Sequence, residues 1–148
     1  MRALTPEQYA RLQRLAEAWT RAHLRDAKTS PGFNPRLAAD ALCFQRHDDP
    51  LLGEQLVGAL VTPVSLWLVM VPADEPDEMP ASGSRHWLSL PSGDYPLEAV
   101  SLGEGDWCHR LALLDDLSDV VSRQAASRLA PQLMERVMAG DESGGGGA

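Results

Sequence analysis

Little in this chain could hold a metal or drive chemistry. Only two cysteines occur, Cys43 and Cys108, and neither belongs to a C-x-x-C pair or a cysteine-histidine cluster. Neither a zinc site nor a disulfide framework is indicated, and a reducing compartment fits that usage. The four histidines are scattered, and no P-loop, G-x-S-x-G, H-E-x-x-H or Rossmann fingerprint is present. The nearest thing to a reactive group is Cys108-His109 beside Asp106, followed by Asp115-Asp116. Neighbours in a strand point to opposite faces, so adjacency alone cannot make Cys108 and His109 a nucleophile and its base. The expectation is a protein without catalysis, intrinsic metal or cofactor.

Long apolar runs are missing too. A membrane helix needs about 20 apolar residues. The densest stretch, Leu56 to Val71, is sixteen residues long and is broken by Thr62-Pro63, so membrane insertion is not expected. The start, M-R-A-L-T-P-E-Q-Y, lacks the apolar run of a secretory signal, and a cytoplasmic protein is expected. Basic charge is also scarce: the net charge is −8, which argues against sequence-independent binding to nucleic acid or anionic lipid. The balance is uneven, with residues 1–28 at +3 and the remainder at −11. Carboxylates cluster at Asp48-Asp49, at Asp74, Glu75, Asp77 and Glu78, and at Asp115, Asp116 and Asp119. An acidic surface serves solubility, and it also suits a basic partner. No repeat of 20 to 50 residues is visible.

The stretch that organises the rest is Leu56 to Pro72, L-V-G-A-L-V-T-P-V-S-L-W-L-V-M-V-P. Two apolar, β-branched runs flank Thr62-Pro63, where proline favours a turn and holds the preceding threonine extended. This predicts a central strand pair. The second run lacks polar alternation, so both its faces should be covered.

Upstream, Thr5-Pro6-Glu7-Gln8 has the form of a capping box, with Leu4 and Tyr9 placed to staple it. The spacing of Tyr9, Leu12, Leu15, Ala16, Trp19, Ala22 and His23 predicts an amphipathic helix over about 6–27, with His23 at the edge of its stripe. Ser30 to Pro35 breaks that helix. Residues 36–46 are ambiguous, with strand character in the second half, and Asp48-Asp49-Pro50 reads as a turn. Pro72 to Ser84 has loop composition. His86 to Leu90 reads as a short strand, and Pro91 to Asp94 as a turn into Tyr95 to Val100, which Pro96 demotes toward an edge. Trp107 to Leu114 is the last strand. Ser118 or Asp119 is placed to cap a final helix striped by Val120, Val121, Ala125, Leu129, Leu133 and Val137, which Pro131 should kink or restart. The fold class is therefore α+β: an antiparallel sheet of four to six strands, flanked by an N-terminal and a C-terminal helix. Residues 1–140 form one domain, and the glycine-rich 141–148 a disordered tail.

Residue order then adds a resemblance. Asn34-Pro35-x-Leu37 precedes Ala41 and Phe44; Gly58-x-Leu60-Val61-Thr62-Pro63, Leu66-x-Leu68 and Pro72 follow; then come Trp87, Leu90-Pro91-x-Gly93-x-Tyr95, and Gly103 or Gly105 before the last strand. Over about 33–137 the chain resembles the HybE-type (HupJ-like) nickel-iron hydrogenase assembly chaperones. It departs from them after the last strand, where that family tends to a Cys-Ser and then a Ser-Pro and this chain has Arg110, Leu111, Leu114 and Asp115.

The resemblance implies a cytoplasmic protein that binds a hydrogenase subunit precursor without catalysis. The favoured precursor is the small, iron-sulfur subunit carrying a twin-arginine export signal. On this reading Thr62, Pro63 and Trp67 supply the apolar contact, and Asp74, Glu75, Asp77 and Glu78 an acidic rim for a basic, partly apolar segment. Two alternatives come from other classes: a small acidic secretion chaperone unrelated to hydrogenase, which shares the size, charge and element order, and a non-catalytic enzyme subunit.

Overall fold

The computed structural model describes residues 4–74, 80–81, 83–103, 106–114, 117, 120 and 122–139. The first element is helix α1, Pro6–Ala27, and its start follows from the capping box. Thr5 Oγ1 accepts from the Gln8 N–H at 3.1 Å, and the Gln8 side-chain oxygen accepts from the Thr5 N–H at 2.9 Å. Leu12, Leu15, Ala16, Ala18 and Trp19 turn inward. Leu4 is buried, but Tyr9, expected to staple to it, is 59% exposed, and Ala22 faces outward. The stripe is rotated because Gln8 is drawn inward. Its Nε2 donates to Ala73 O at 3.0 Å, while Arg11 donates to Ala73 O and Pro72 O at 2.9 and 3.0 Å. The helix start thus satisfies carbonyls at the far end of the central strand pair.

Six strands follow: β1 (Asp40–Asp49), β2 (Gly53–Val61), β3 (Leu66–Pro72), β4 (Arg85–Leu90), β5 (Gly93–Gly103) and β6 (Asp106–Leu114), before helix α2 (Arg123–Ala139). They form one antiparallel sheet in the order β1-β2-β3-β6-β5-β4. This is the α+β arrangement expected, at the upper limit of the strand count. The predicted central pair is β2 and β3, from Gln55 opposite Pro72 to Val61 opposite Leu66.

Alternation sends the two faces of β2 and β3 to different cores. Val57, Ala59, Val61, Leu68 and Met70 join Leu88, Leu97, Ala126, Ala130 and Met134 under α2. Leu56, Leu60, Val69 and Val71 join Leu12, Leu15, Trp19, Leu102 and Cys108 under α1. Both faces of β3 are therefore covered, as its unbroken apolar run requires.

Three local devices set the geometry. Thr62 Oγ1 accepts from the N–H groups of Val64 and Ser65 at 3.2 and 3.0 Å, and Thr62 N–H donates to Ser65 O at 2.8 Å, closing the β2–β3 turn. Asn34, 2% exposed, ties three segments: its N–H donates to Pro63 O at 2.8 Å, and its Nδ2 to Leu117 O and Val120 O at 2.8 and 2.7 Å. In β1 the register slips between Leu42 and Gln45, with Cys43 at a φ of 61°. There Phe44 crosses Gly58 so closely that a Cβ on Gly58 would lie 2.7 Å from Phe44 Cα.

Several expectations need correcting. Asp49 pairs with Gly53 inside the β1–β2 ladder, so the turn lies at Pro50 to Leu52. Pro96 does not put β5 at an edge: β5 sits between β4 and β6, and β4 is the edge. The β5–β6 ladder begins only at Glu98 opposite Arg110, so the missing N–H of Pro96 faces no partner strand. Helix α2 passes through Pro131 without restarting. Its buried line is Ala126, Ala130, Met134 and Val137, with Leu129 and Leu133 half-buried. Ser122 caps it, accepting from the Ala125 N–H at 3.0 Å; Ser118 and Asp119 lie outside the described residues.

Candidate functional site

On the α1 face the cover is incomplete. A cleft of about 390 Å³ opens between the C-terminal half of α1 and strands β3, β5 and β6. Trp19, Val64, Trp67 and Val100 line it apolarly, and His23, Asp26, Ser101 and Arg110 bring polar groups. Each side chain arrives by simple periodicity. Trp19 and His23 are one helical turn apart, with ring centroids 5.9 Å apart. Trp67 and Arg110 come from neighbouring strands, and the Arg110 guanidinium sits 4.8 Å from the Trp67 ring centroid. A cation over an indole face is worth about 0.5–1 kcal/mol when exposed and more when desolvated. Arg110 also donates to Glu98 Oε1 at 3.4 Å, and its Nε is buried without a hydrogen-bond partner.

The expected binding residues are not assembled in one place. Thr62 is 0% exposed and its hydroxyl is used inside the turn; Pro63 is buried, its carbonyl taken by Asn34. Trp67 is half-buried on the cleft wall. Asp74 is exposed beyond the other end of β3; from Trp67 to Pro72 alone the strand covers about 16 Å at roughly 3.3 Å per residue. Glu75, Asp77 and Glu78 lie outside the described residues. Among the described residues the carboxylate on the cleft is Asp26, and the cleft also carries a cation. The rim is mixed in charge.

Reactive chemistry is poorly provided for. Cys108 and His109 face opposite sides of β6, as alternation demands. Burial pushes the Cys108 thiol up to about 12, against a smaller opposing pull from the Arg110 charge. Cys43 lies in the bulge, and partial burial raises its thiol as well. Among the described residues no three His, Cys, Asp or Glu side chains converge in a way that could hold a metal ion.

Opposite the cleft, on the α2 face, lies a polar cluster that sequence reasoning did not assemble. Asp49 at the end of β1 accepts from the Leu51 and Leu52 N–H groups at 2.9 and 3.0 Å and faces His86 Nε2 of β4 at 2.7 Å. An ionised carboxylate only accepts, so Nε2 carries the proton. Burial raises the Asp49 carboxyl, but the bonds from His86, Leu51 and Leu52 outweigh it and leave the group below its usual range. The His109 ring lies 5.8 Å from that of His86, tilted to it, and meets that of Trp107 edge-on at 5.6 Å. Burial, with the nearby His86, holds His109 below the ordinary histidine value, against the opposing pull of Asp49.

A family model described as "[NiFe]-hydrogenase assembly, chaperone, HybE" matches residues 10–144. A hydrogenase expression/formation protein HoxT of Azotobacter vinelandii is 32% identical over 117 residues, covering 77% of this chain and 71% of that protein. A hydrogenase expression/formation protein HupT of Azotobacter chroococcum mcd 1 is 32% identical over 129 residues, covering 85% and 81%. No solved structure matches at the same stringency. None of the helices among the described residues is long and apolar enough to cross a membrane.

Proposed function

The chain belongs to the HybE family of nickel-iron hydrogenase assembly chaperones, and from that premise we propose that it works in the cytoplasm as a non-catalytic assembly factor. It binds a hydrogenase subunit precursor before assembly, the small iron-sulfur subunit with its twin-arginine signal being favoured. The observation that carries this reading is the Trp19–Trp67 cleft. Tryptophan and arginine are the side chains most enriched at binding hot spots, and here both line a mainly apolar opening on a folded scaffold. An apolar side chain of the precursor packs against the Trp67 indole, over the buried floor that Trp19 helps to form. Asp26 and Arg110 then select polar groups flanking it, Asp74 acts from outside the cleft, and Glu75, Asp77 and Glu78 add acidic charge that attracts a basic segment. Burial raises both thiols, which fits an assembly factor.

The test is binding of a purified small-subunit precursor to wild type and to two variants shown by circular dichroism to be folded. Trp67→Ala removes one wall of the cleft, and Ser101→Trp adds bulk from an exposed position on its rim. Both should weaken binding mainly through faster dissociation. Wild-type affinity in both folded variants moves the site elsewhere. Absent binding by wild type removes this subunit as the partner.

A further inference from the structure

The sheet begins at β1 and ends at β4, yet Asp49 of β1 touches His86 of β4 at 2.7 Å. The α2 face is thus curled until its two edge strands meet through side chains. We propose that Asp49, His86 and His109 form a latch that holds the edge strands together at this end, and that proton uptake by His109 opens it. The carboxylate of Asp49 is fully engaged, by two backbone N–H groups and one imidazole N–H. His109 lies beside that contact, 4% exposed, with Nδ1 buried and without a hydrogen-bond partner. An imidazolium carries an N–H on both ring nitrogens. The protonated ring would therefore bury a positive charge, with a donor at Nδ1 that has no acceptor, next to the His86 ring.

Among the described residues the neighbouring titratable groups are few. His86 comes from β4 and opposes a charge on His109; Asp49 comes from β1 and favours it. His47, two residues before Asp49, shares that face by register with Gln55. With the latch closed His109 resists the proton; with it open, water solvates the imidazolium. The sign follows: His109 is held below its ordinary value, so the closed state is fully favoured above pH about 6.5 and loses that advantage as pH falls toward the folded-state value. One proton coupled to opening changes the opening constant by up to about tenfold per pH unit within that window. Asp49, also held low, adds its own loss only below its ordinary value of 3.8.

Amide hydrogen exchange on the full chain, corrected for intrinsic rates between pH 7.5 and 5.0, reads this directly. Amides of Arg46–Asp49 and Arg85–Leu88 should lose protection by up to about tenfold per unit below pH 6.5 while those of β2 and β3 hold. His109→Phe should remove the slope and His47→Gln should keep it. Should His109→Phe fail to fold, Asp49→Asn takes its place. It turns an amide N–H toward His86 Nε2–H and should leave the same amides weakly protected even at pH 7.5. A slope surviving in His109→Phe, a slope lost in His47→Gln, full protection in Asp49→Asn, or loss that spreads evenly over all six strands would overturn the latch.

Discussion

Beneath α2, the inward residues of β2 and β3 meet a continuous apolar layer that runs from Leu37 across the sheet to Val137. Beneath α1, Leu56, Leu60, Val69 and Val71 are just as deeply buried, yet the cover gives out at Trp67 and Arg110. The same strands build both faces. What differs is where each helix ends relative to the sheet, and which side chains stand at that limit. On the α2 face the polar groups are drawn inside and satisfied among themselves, apart from His109. On the α1 face the polar groups of β6 reach toward solvent beside two indoles. Three consecutive residues show the division: Cys108 is inert core under α1, His109 belongs to the buried cluster under α2, and Arg110 returns to the α1 side to roof Trp67. The α2 face has a smaller opening of its own, about 260 Å³ beside Leu37, Leu42, Val61 and Ala126, whereas the α1 cleft of about 390 Å³ presents Trp67 and Arg110 as contact area for a partner.

The largest expected effect breaks the apolar layer under α2. Leu68 is 0% exposed, opposite Ala59 on one side and Leu111 on the other. Leu68→Ala should cost about 2–5 kcal/mol through lost burial and the cavity left behind. Chemical denaturation checks it, and precursor affinity per folded molecule should be unchanged. An intact midpoint would show that the α2 layer repacks freely and is not the rigid half.

Next in size is Gly58→Ala, which strikes the α1 face from beneath. The new methyl would meet the Phe44 backbone at 2.7 Å, and a backbone atom cannot swing aside as a side chain does. Overpacking of this kind costs about 1–3 kcal/mol. Unfolding measurements should show the loss, relieved in part by Phe44→Ala in the same chain. Without that relief, the clash would lie with the Phe44 backbone and not with its ring.

Much of this plan was legible beforehand because its signals are local. The Thr5–Gln8 capping box, the Thr62-Pro63 reversal and the apolar runs beside it each lie within a few residues, and each appears where periodicity and turn chemistry put it. The order β1-β2-β3-β6-β5-β4 was not legible, since pairing β3 with β6 joins residues about forty positions apart and no local preference encodes it. For that reason Trp67 could be nominated while Arg110 could not. The same long-range step hid Asn34 as a tie between three segments, and hid the meeting of Asp49, His86 and His109. Thr62 and Pro63, expected both to reverse the chain and to lie at a binding surface, are buried in the β2–β3 turn, and a short Thr-Pro pattern looks alike in both uses.

Trp67→Ala sharpens the comparison from the other side. Truncating a hot-spot aromatic costs at least about 2 kcal/mol of binding, roughly thirtyfold in Kd. Surface-plasmon measurements should place that loss in the off-rate, with a fall in unfolding midpoint smaller than that of Leu68→Ala. If stability fell as far as in Leu68→Ala while affinity held, Trp67 would be core like its neighbours, and the two faces would not differ in kind.

The smallest expected effect concerns charge outside the cleft. Asp74 is exposed and separated from Trp67 by about 16 Å of strand, twice the Debye length of about 8 Å at physiological ionic strength. Across that distance a carboxylate contributes almost nothing to contacts made inside the cleft, but at low salt it still biases the approach of a basic partner. Replacing Asp74 and Asp77 by asparagine and Glu75 and Glu78 by glutamine should therefore lower the on-rate by less than about tenfold at low salt, flatten its salt dependence, and leave dissociation alone. Stopped-flow association at two ionic strengths, with dissociation followed separately, distinguishes the two roles. A faster off-rate in the neutralised protein would mean that these carboxylates touch the bound segment. The partner would then extend from the cleft over the outside of α1 toward the far end of β3, and the docking surface would be continuous instead of a single opening.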